Sequence, residues 1–213
     1  MTKNKSDMEF WDWLIRPLSR PISKFFLQYT KISPNTVTFF SFLMSILAAI
    51  FIYIGGRRNL FLAAFFILFF MLFDQADGDI ARAKGLTSKL GHWLDGMVGF
   101  IGTELLIFAI AFGINTKLSL ALGMLVAIIY PMQLMVVFFY KAEVVRDNAP
   151  INLGSSSIIS KISKLYGLAF FKYMAILGCL FGQLLWVLMF FAIFGNLFWL
   201  GTIFIQYLNL KKN

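Results

Sequence analysis

Apolar segments of roughly 20 residues recur along this chain and leave few folds open to it. The first four occupy residues 37–53, 60–82, 90–114 and 118–140. Of the 213 residues, 60% are hydrophobic and only 14% are charged, which is unlike a soluble domain. The segments do not alternate polar and apolar residues, as the strands of a membrane barrel would. Since a helix satisfies its own backbone hydrogen bonds in hydrocarbon, we expect an all-α integral membrane protein.

The last apolar stretch, residues 173–210, is long enough for two short crossings with a turn near Gly195 and Asn196. This brings the expected number of transmembrane helices to six, all within one domain of residues 33–213. The turn at Ser33 and Pro34 has the chemistry of a helix start and opens the first span.

Residues 1–32 precede this domain and have a different composition. Within them, residues 9–28 mix aromatic and aliphatic side chains with the bases Arg16, Arg20 and Lys24. This pattern is typical of an amphipathic helix that lies in the membrane interface. Pro17 and Pro21 are the points where such a helix can break. Its simplest role is that of a membrane anchor.

Positive charges are unevenly divided between the two sides of a six-helix arrangement. Only Arg57, Arg58 and Lys117 fall on the side opposite the termini. By the positive-inside tendency, both termini and the polar stretch 141–164 are expected in the cytoplasm. The formal net charge of +9 follows from this asymmetry and from attraction to anionic membrane lipids, so it requires no nucleic acid. We expect the plasma membrane. The same distribution of charges would also fit an endoplasmic reticulum membrane.

Two carboxylates lie in the last part of the second apolar segment, and a third lies at the start of the next one. Asp74 and Asp77 are three residues apart and share one face of a helix, with Arg82 just beyond them. Asp95 comes from the start of the next helix, so a short turn can direct all three carboxylates into one cleft. Charges this close to hydrocarbon are costly, and they indicate a functional site. Hard cations such as Mg²⁺ and Mn²⁺ prefer carboxylate oxygens and bridge them to phosphates.

Small residues are interleaved with these carboxylates. Gly78, Ala81 and Gly91 leave room for a nucleotide or a diphosphate to lie against the backbone, with Arg82 facing the anion. The alternative is a buried network of aspartates with Arg82 and Lys84 that stabilises the bundle. That network would explain the charges but not the small residues. Asp79 points away from the shared face, and a solvated or lysine-paired role is expected for it.

These positions together resemble the signature of the CDP-alcohol phosphotransferase family of phospholipid synthesis. The matching residues, with their fixed gaps, are Asp74, Asp77, Gly78, Ala81, Arg82, Gly91 and Asp95. The turn Pro34–Asn35–Thr36, with Thr38 after it, is also similar to the family's usual opening.

The resemblance implies a six-helix homodimer with its site at the cytoplasmic side. It implies two Mg²⁺ or Mn²⁺ ions that clamp the diphosphate of a CDP-activated lipid or alcohol donor, and release of CMP as an acceptor attacks. Asp74, Asp77 and Asp95 would be the metal ligands. Gly78, Ala81, Arg82 and Gly91 would contact the CDP moiety. The acceptor is not identified, because the motif residues would contact only the CDP portion that all donors of the family share.

The chain departs from the family at one position. Gly99 stands where the pattern has a fourth aspartate, the expected general base and part of the metal site. His92, the only histidine, is the candidate substitute base, although a histidine at a helix start can also be a simple interface residue. An acceptor that is already ionised would need no base. The remaining alternatives are a catalytically silent relative that binds CDP and metal, and a small cation-coupled transporter.

Overall fold

The computed structural model of the protein describes residues 10–144 and 168–212, which form seven helices. Most of the polar stretch predicted to be a cytoplasmic connection lies outside these residues. The helices are α1 (Phe10–Tyr29), α2 (Pro34–Ile54), α3 (Arg57–Lys84), α4 (Lys89–Ile114), α5 (Lys117–Val144), α6 (Leu168–Phe181) and α7 (Leu184–Lys212). The described part of the chain contains no β-strand, so the predicted all-α fold is confirmed.

The helices α2 to α5 coincide with the first four predicted spans to within a few residues. Ser33 caps α2 by accepting a hydrogen bond from the backbone N–H of Thr36 at 3.2 Å, and Pro34 occupies the first turn. Ser88 caps α4 in the same way, by accepting from the N–H of Gly91 at 3.0 Å. These caps satisfy backbone donors that the helix itself leaves unpaired, and they set where both helices begin.

Five of the described helices are long and apolar enough to cross a membrane: α2, α3, α4, residues 117–140 of α5 and residues 184–208 of α7. The helix α6 is apolar, and 14 of its residues lie in the described part of the chain. At 1.5 Å per residue these 14 residues cover about 21 Å of the hydrocarbon thickness of about 30 Å. The multi-pass architecture therefore follows from length and composition.

The turn of the last hairpin is not where we expected it. The predicted turn near Gly195 and Asn196 is wrong: the turn lies at Gly182, whose φ of 70° suits a glycine. Asn196 stays helical because its amide donates to the carbonyl of Ala192 at 2.8 Å and accepts from Trp199 at 2.9 Å. Its polar groups are thus satisfied within the helix.

The first helix is also continuous, since α1 passes through both of its prolines. The hydroxyl of Ser19 donates to the carbonyl of Arg16 at 3.3 Å, and that of Ser23 donates to the carbonyl of Ser19 at 3.1 Å. These side-chain bonds satisfy the two buried hydroxyls within the helix itself. The amphipathic helix predicted for this region therefore exists as one unbroken element.

The helix α3 contacts α1, α2 and α6, and α4 packs closely on α2. Small residues allow this approach. A Cβ on Gly102 would lie 2.6 Å from the ring of Phe70 and 2.9 Å from the hydroxyl of Ser45. Both neighbours are fully buried. The helices that carry the predicted carboxylates are therefore held in close register by their glycines.

Replacement of Gly113 by alanine should weaken this packing. The added Cβ would lie 2.8 Å from the carbonyl oxygen of Ile52, a backbone atom that cannot move without shifting α2. We expect Gly113→Ala to lower the free energy of unfolding by about 1–3 kcal/mol. Thermal unfolding of the detergent-solubilised protein measures it. The control is Gly201→Ala, where no atom lies within 4 Å of the new methyl group. Equal stability of the two variants would contradict the prediction.

Candidate functional site

A cavity of about 250 Å³ opens between the start of α2, the last turns of α3 and the first turns of α4. Seven of the eight predicted site residues line it: Asp77, Gly78, Ala81, Arg82, Gly91, His92 and Asp95. Two helices joined by a short turn at Gly85 therefore do bring their signature residues to one place. Pro34, Asn35 and Thr38 complete the wall from α2.

Asp77 is the most buried of the three carboxylates, at 3% exposure. The hydroxyl of Thr38 donates a hydrogen bond to its Oδ2, and this bond links α2 to α3. A buried carboxylate without such a donor would be costly. Thr38, which the sequence marked only as part of an opening turn, thus fixes the orientation of a predicted metal ligand.

Asp74 is the one predicted residue that does not line the cavity. Its Oδ2 lies 3.4 Å from the ammonium of Lys172 on α6. A Cβ on Gly99 would lie 3.8 Å from its Oδ1. Asp74 therefore sits between Lys172 and the position where the signature would have its fourth aspartate. Its helix turn is next to that of Asp77, so the two carboxylates remain neighbours on one face.

The three carboxylates do not converge on a single point. Within residues 10–144 and 168–212, no group of three or more acidic, histidine or cysteine side chains is placed to hold one ion. Asp77 is directed toward Thr38 and Asp74 toward Lys172. The donor chemistry nevertheless fits a hard divalent cation, because Asp77 and Asp95 both present carboxylates to the same cavity.

Arg82 is held at the cavity by an ion pair. Its Nη2 donates to Oδ1 of Asp79 at 2.6 Å, and Arg16 of α1 lies 3.7 Å from the same oxygen. Asp79 is therefore paired with arginines, where we expected solvent or a lysine. A Cβ on Gly78 would lie 3.1 Å from Nη1 of Arg82, so the glycine lets the guanidinium lie against α3.

One nitrogen of the Arg82 guanidinium takes no part in the ion pair with Asp79. Its Nε is buried, and it has no hydrogen-bond partner among the residues that the structure describes. A buried donor without an acceptor is costly, so this nitrogen could still donate a hydrogen bond to an anionic or carbonyl oxygen.

The first turn of α4 forms the opposite wall. A Cβ on Gly91 would lie 3.2 Å from the hydroxyl of Ser88 and 3.3 Å from the amide oxygen of Asn35, so the glycine permits a close approach of α2 and α4. His92 follows it and is exposed at the cavity. The positive end of the helix dipole also lies here, and it favours an anion.

Lys172 is the partner of a predicted site residue that sequence reasoning missed. It lies inside α6 at 4% exposure. Its signal was visible as a single charge in the apolar run Leu168–Phe181. By contrast, Glu104 of α4 lies outside the cavity, and its Oε1 has no hydrogen-bond partner among the described residues.

Comparison with known proteins finds relatives that are similar to part of the chain. Over 82 residues, or 38% of the chain, it is 34% identical to an archaetidylinositol phosphate synthase of Pyrococcus horikoshii. It is 36% identical over 81 residues to an uncharacterised protein of Aquifex aeolicus. The matched regions span 42% and 39% of these two relatives.

A solved structure has the same fold. It is the crystal structure of the Mycobacterium tuberculosis phosphatidylinositol phosphate synthase with CDP-DAG bound. The TM-score is 0.57 at 19% sequence identity, and the match covers 90% of this chain and 94% of the other. The family model for CDP-alcohol phosphatidyltransferases matches residues 31–204. The chain therefore belongs to the CDP-alcohol phosphatidyltransferase family.

Proposed function

We propose that the protein is a membrane enzyme that transfers a phosphate-linked group from a CDP-activated lipid to an acceptor and releases CMP. The observation that carries this proposal is the shared cavity, which gathers six of the seven signature residues, together with His92, from two helices. Family membership supports the reaction class. The CDP-DAG bound to the mycobacterial relative supports a CDP-activated lipid as the donor. Phospholipid biosynthesis, or the synthesis of a related lipid or glycan, is the corresponding role.

The cavity residues would bind the CDP moiety. The guanidinium of Arg82, whose Nε has no partner in the described structure, would donate to a phosphate oxygen. The N–H groups of the first turn of α4 would face the same anion. Gly78, Ala81 and Gly91 keep the walls free of bulk, so that the nucleotide can lie close to the backbone.

Asp74, Asp77 and Asp95 would hold Mg²⁺ or Mn²⁺. Such a cation, when bound, neutralises the charge of a diphosphate and stabilises the leaving group. The residues that support this assignment are the cavity-lining carboxylates of Asp77 and Asp95, with Asp74 one helical turn before Asp77.

In the reaction, an acceptor oxygen forms a bond to the donor phosphorus that carries the lipid, and the bond from that phosphorus to the oxygen of CMP breaks. The acceptor hydroxyl must lose its proton, and Gly99 offers no carboxylate to take it. His92 would accept this proton, because it faces the same cavity as Asp77 and Asp95. Its exposed position would also let it pass the proton to water.

The proposed placement in the membrane has six crossings, with α6 as the shortest, and α1 lying in the interface. Both termini and the cavity would be cytoplasmic, in the plasma membrane. The protein would act as a homodimer. The charge asymmetry of the sequence supports the orientation, and the apolar face of α1 supports its position.

The first test is CMP release by the purified protein supplied with CDP-diacylglycerol, Mn²⁺ or Mg²⁺ and a panel of acceptors. We expect Asp77→Asn to reduce CMP release by a factor of at least about 100, since its carboxylate is needed in the transition state. Glu104→Gln is the matched control, a carboxyl-to-amide change outside the cavity, and it should retain activity. Metal-dependent CDP binding without any CMP release would identify a silent relative. Cation movement that ignores CDP compounds would identify a transporter.

The role of His92 is tested by His92→Ala. Loss of a general base should lower kcat by a factor of about 10² to 10⁴, with a much smaller change in the KM for the donor. Added imidazole should restore part of the lost rate, because the truncated side chain leaves space at the cavity. A kcat that is unaffected by the substitution, or that imidazole does not restore, would remove His92 from the mechanism.

A further inference from the structure

Lys172 is the only lysine or arginine in Leu168–Phe181, and it is buried in the interior of the protein. It is 4% exposed, and its Nζ lies 4.0 Å from the ring centroid of Phe70, which is itself fully buried. A buried ammonium is costly unless it is paired and well packed. Its ion-pair partner is Asp74, and the aromatic face of Phe70 provides a second favourable contact.

The pair lies beside the position at which the family signature is broken. Asp74 directs Oδ2 to Lys172, whereas its Oδ1 lies 3.8 Å from the Cβ that any larger residue would have at position 99. That distance is an ordinary van der Waals contact, so sterics at the Cβ do not exclude an aspartate there. An aspartate at position 99 would therefore differ from the glycine by the negative charge that it adds beside Asp74.

The charges of the site can be counted from its side chains. Four carboxylates would carry four negative charges, which two divalent cations balance. Here three carboxylates and the ammonium of Lys172 leave two negative charges, which one divalent cation balances. Arg82 does not alter this count, because it forms its own pair with Asp79.

We propose that Lys172 is a positioning residue that takes the place of one metal ion, so that this site holds a single divalent cation. Its ammonium fixes Asp74 and supplies a permanent positive charge beside it. The single ion is then held at the cavity by Asp77 and Asp95, with Asp74 shared between the ion and Lys172. This inference rests on the proposed function, and it replaces the two ions that the family resemblance implies.

The experiment counts Mn²⁺ ions bound per chain in the detergent-purified full-length protein, with CDP present, by equilibrium dialysis and electron paramagnetic resonance. We expect one ion in the unaltered protein. Lys172→Met removes the ammonium but keeps the side-chain length, and it should tighten Mn²⁺ binding by at least about tenfold, since a nearby positive charge is lost. In the double variant Gly99→Asp with Lys172→Met, a second ion should bind.

The matched control is Lys84→Met, which removes a positive charge at the end of α3. The ammonium of Lys84 donates to the carbonyl of Ile32 at 2.9 Å and not to a carboxylate. Mn²⁺ binding should not change in this variant. A general effect of net charge would alter both lysine variants equally, and it would overturn the proposal.

The inference and the proposed function can fail separately. Two ions in the unaltered protein, or Mn²⁺ binding that Lys172→Met does not tighten, would overturn the inference even if CMP is released. One ion, a tighter Lys172→Met variant and no CMP release would support the inference but remove the catalytic function. The number of Mn²⁺ ions bound by the unaltered protein is measured without any substitution. The proposal can therefore be refuted even if a variant folds poorly.

Discussion

The free-energy cost of placing carboxylates among apolar helices governs the arrangement of this protein. Three of these acids each have a partner on another helix. Thr38 of α2 holds Asp77, Lys172 of α6 holds Asp74, and Arg16 of α1 lies against Asp79. All three acids belong to α3, and this helix contacts each of the helices that supply their partners. The functional residues and the helix packing are therefore two aspects of one electrostatic constraint.

This constraint also gives α1 a structural connection to the site. Its Arg16 is 5% exposed and shares the oxygen of Asp79 with Arg82. The sequence suggested only an anchor for this helix, because its basic residues are typical of any interfacial segment. The packing of α1 on α3 shows that at least one of those bases faces inward. Its contribution is to hold the acid that in turn holds Arg82 at the cavity wall.

Much of the architecture was predictable because helices in hydrocarbon obey strong local rules. Apolar segment length located α2 to α5, and the residue spacing brought Asp77, Arg82 and Asp95 to one cavity. The turn of the last hairpin was misplaced, because Asn196 can satisfy its polar groups inside a helix and Gly182 gives no stronger signal than Gly195. Lys172 was missed for a different reason. Its partner is 98 residues away, and a contact of that range has no periodic signature in the sequence.

That separation in the chain bears on how the protein is made. Asp74 leaves the ribosome long before Lys172, and the intervening residues include all of α4 and α5. During this interval the carboxylate lacks its native cation, so the nascent bundle carries an unbalanced charge next to hydrocarbon. The arrival of α6 removes that penalty. The final hairpin is thus the step of biogenesis that supplies Asp74 with its ion-pair partner, and a chain truncated before it should be a target for membrane quality control.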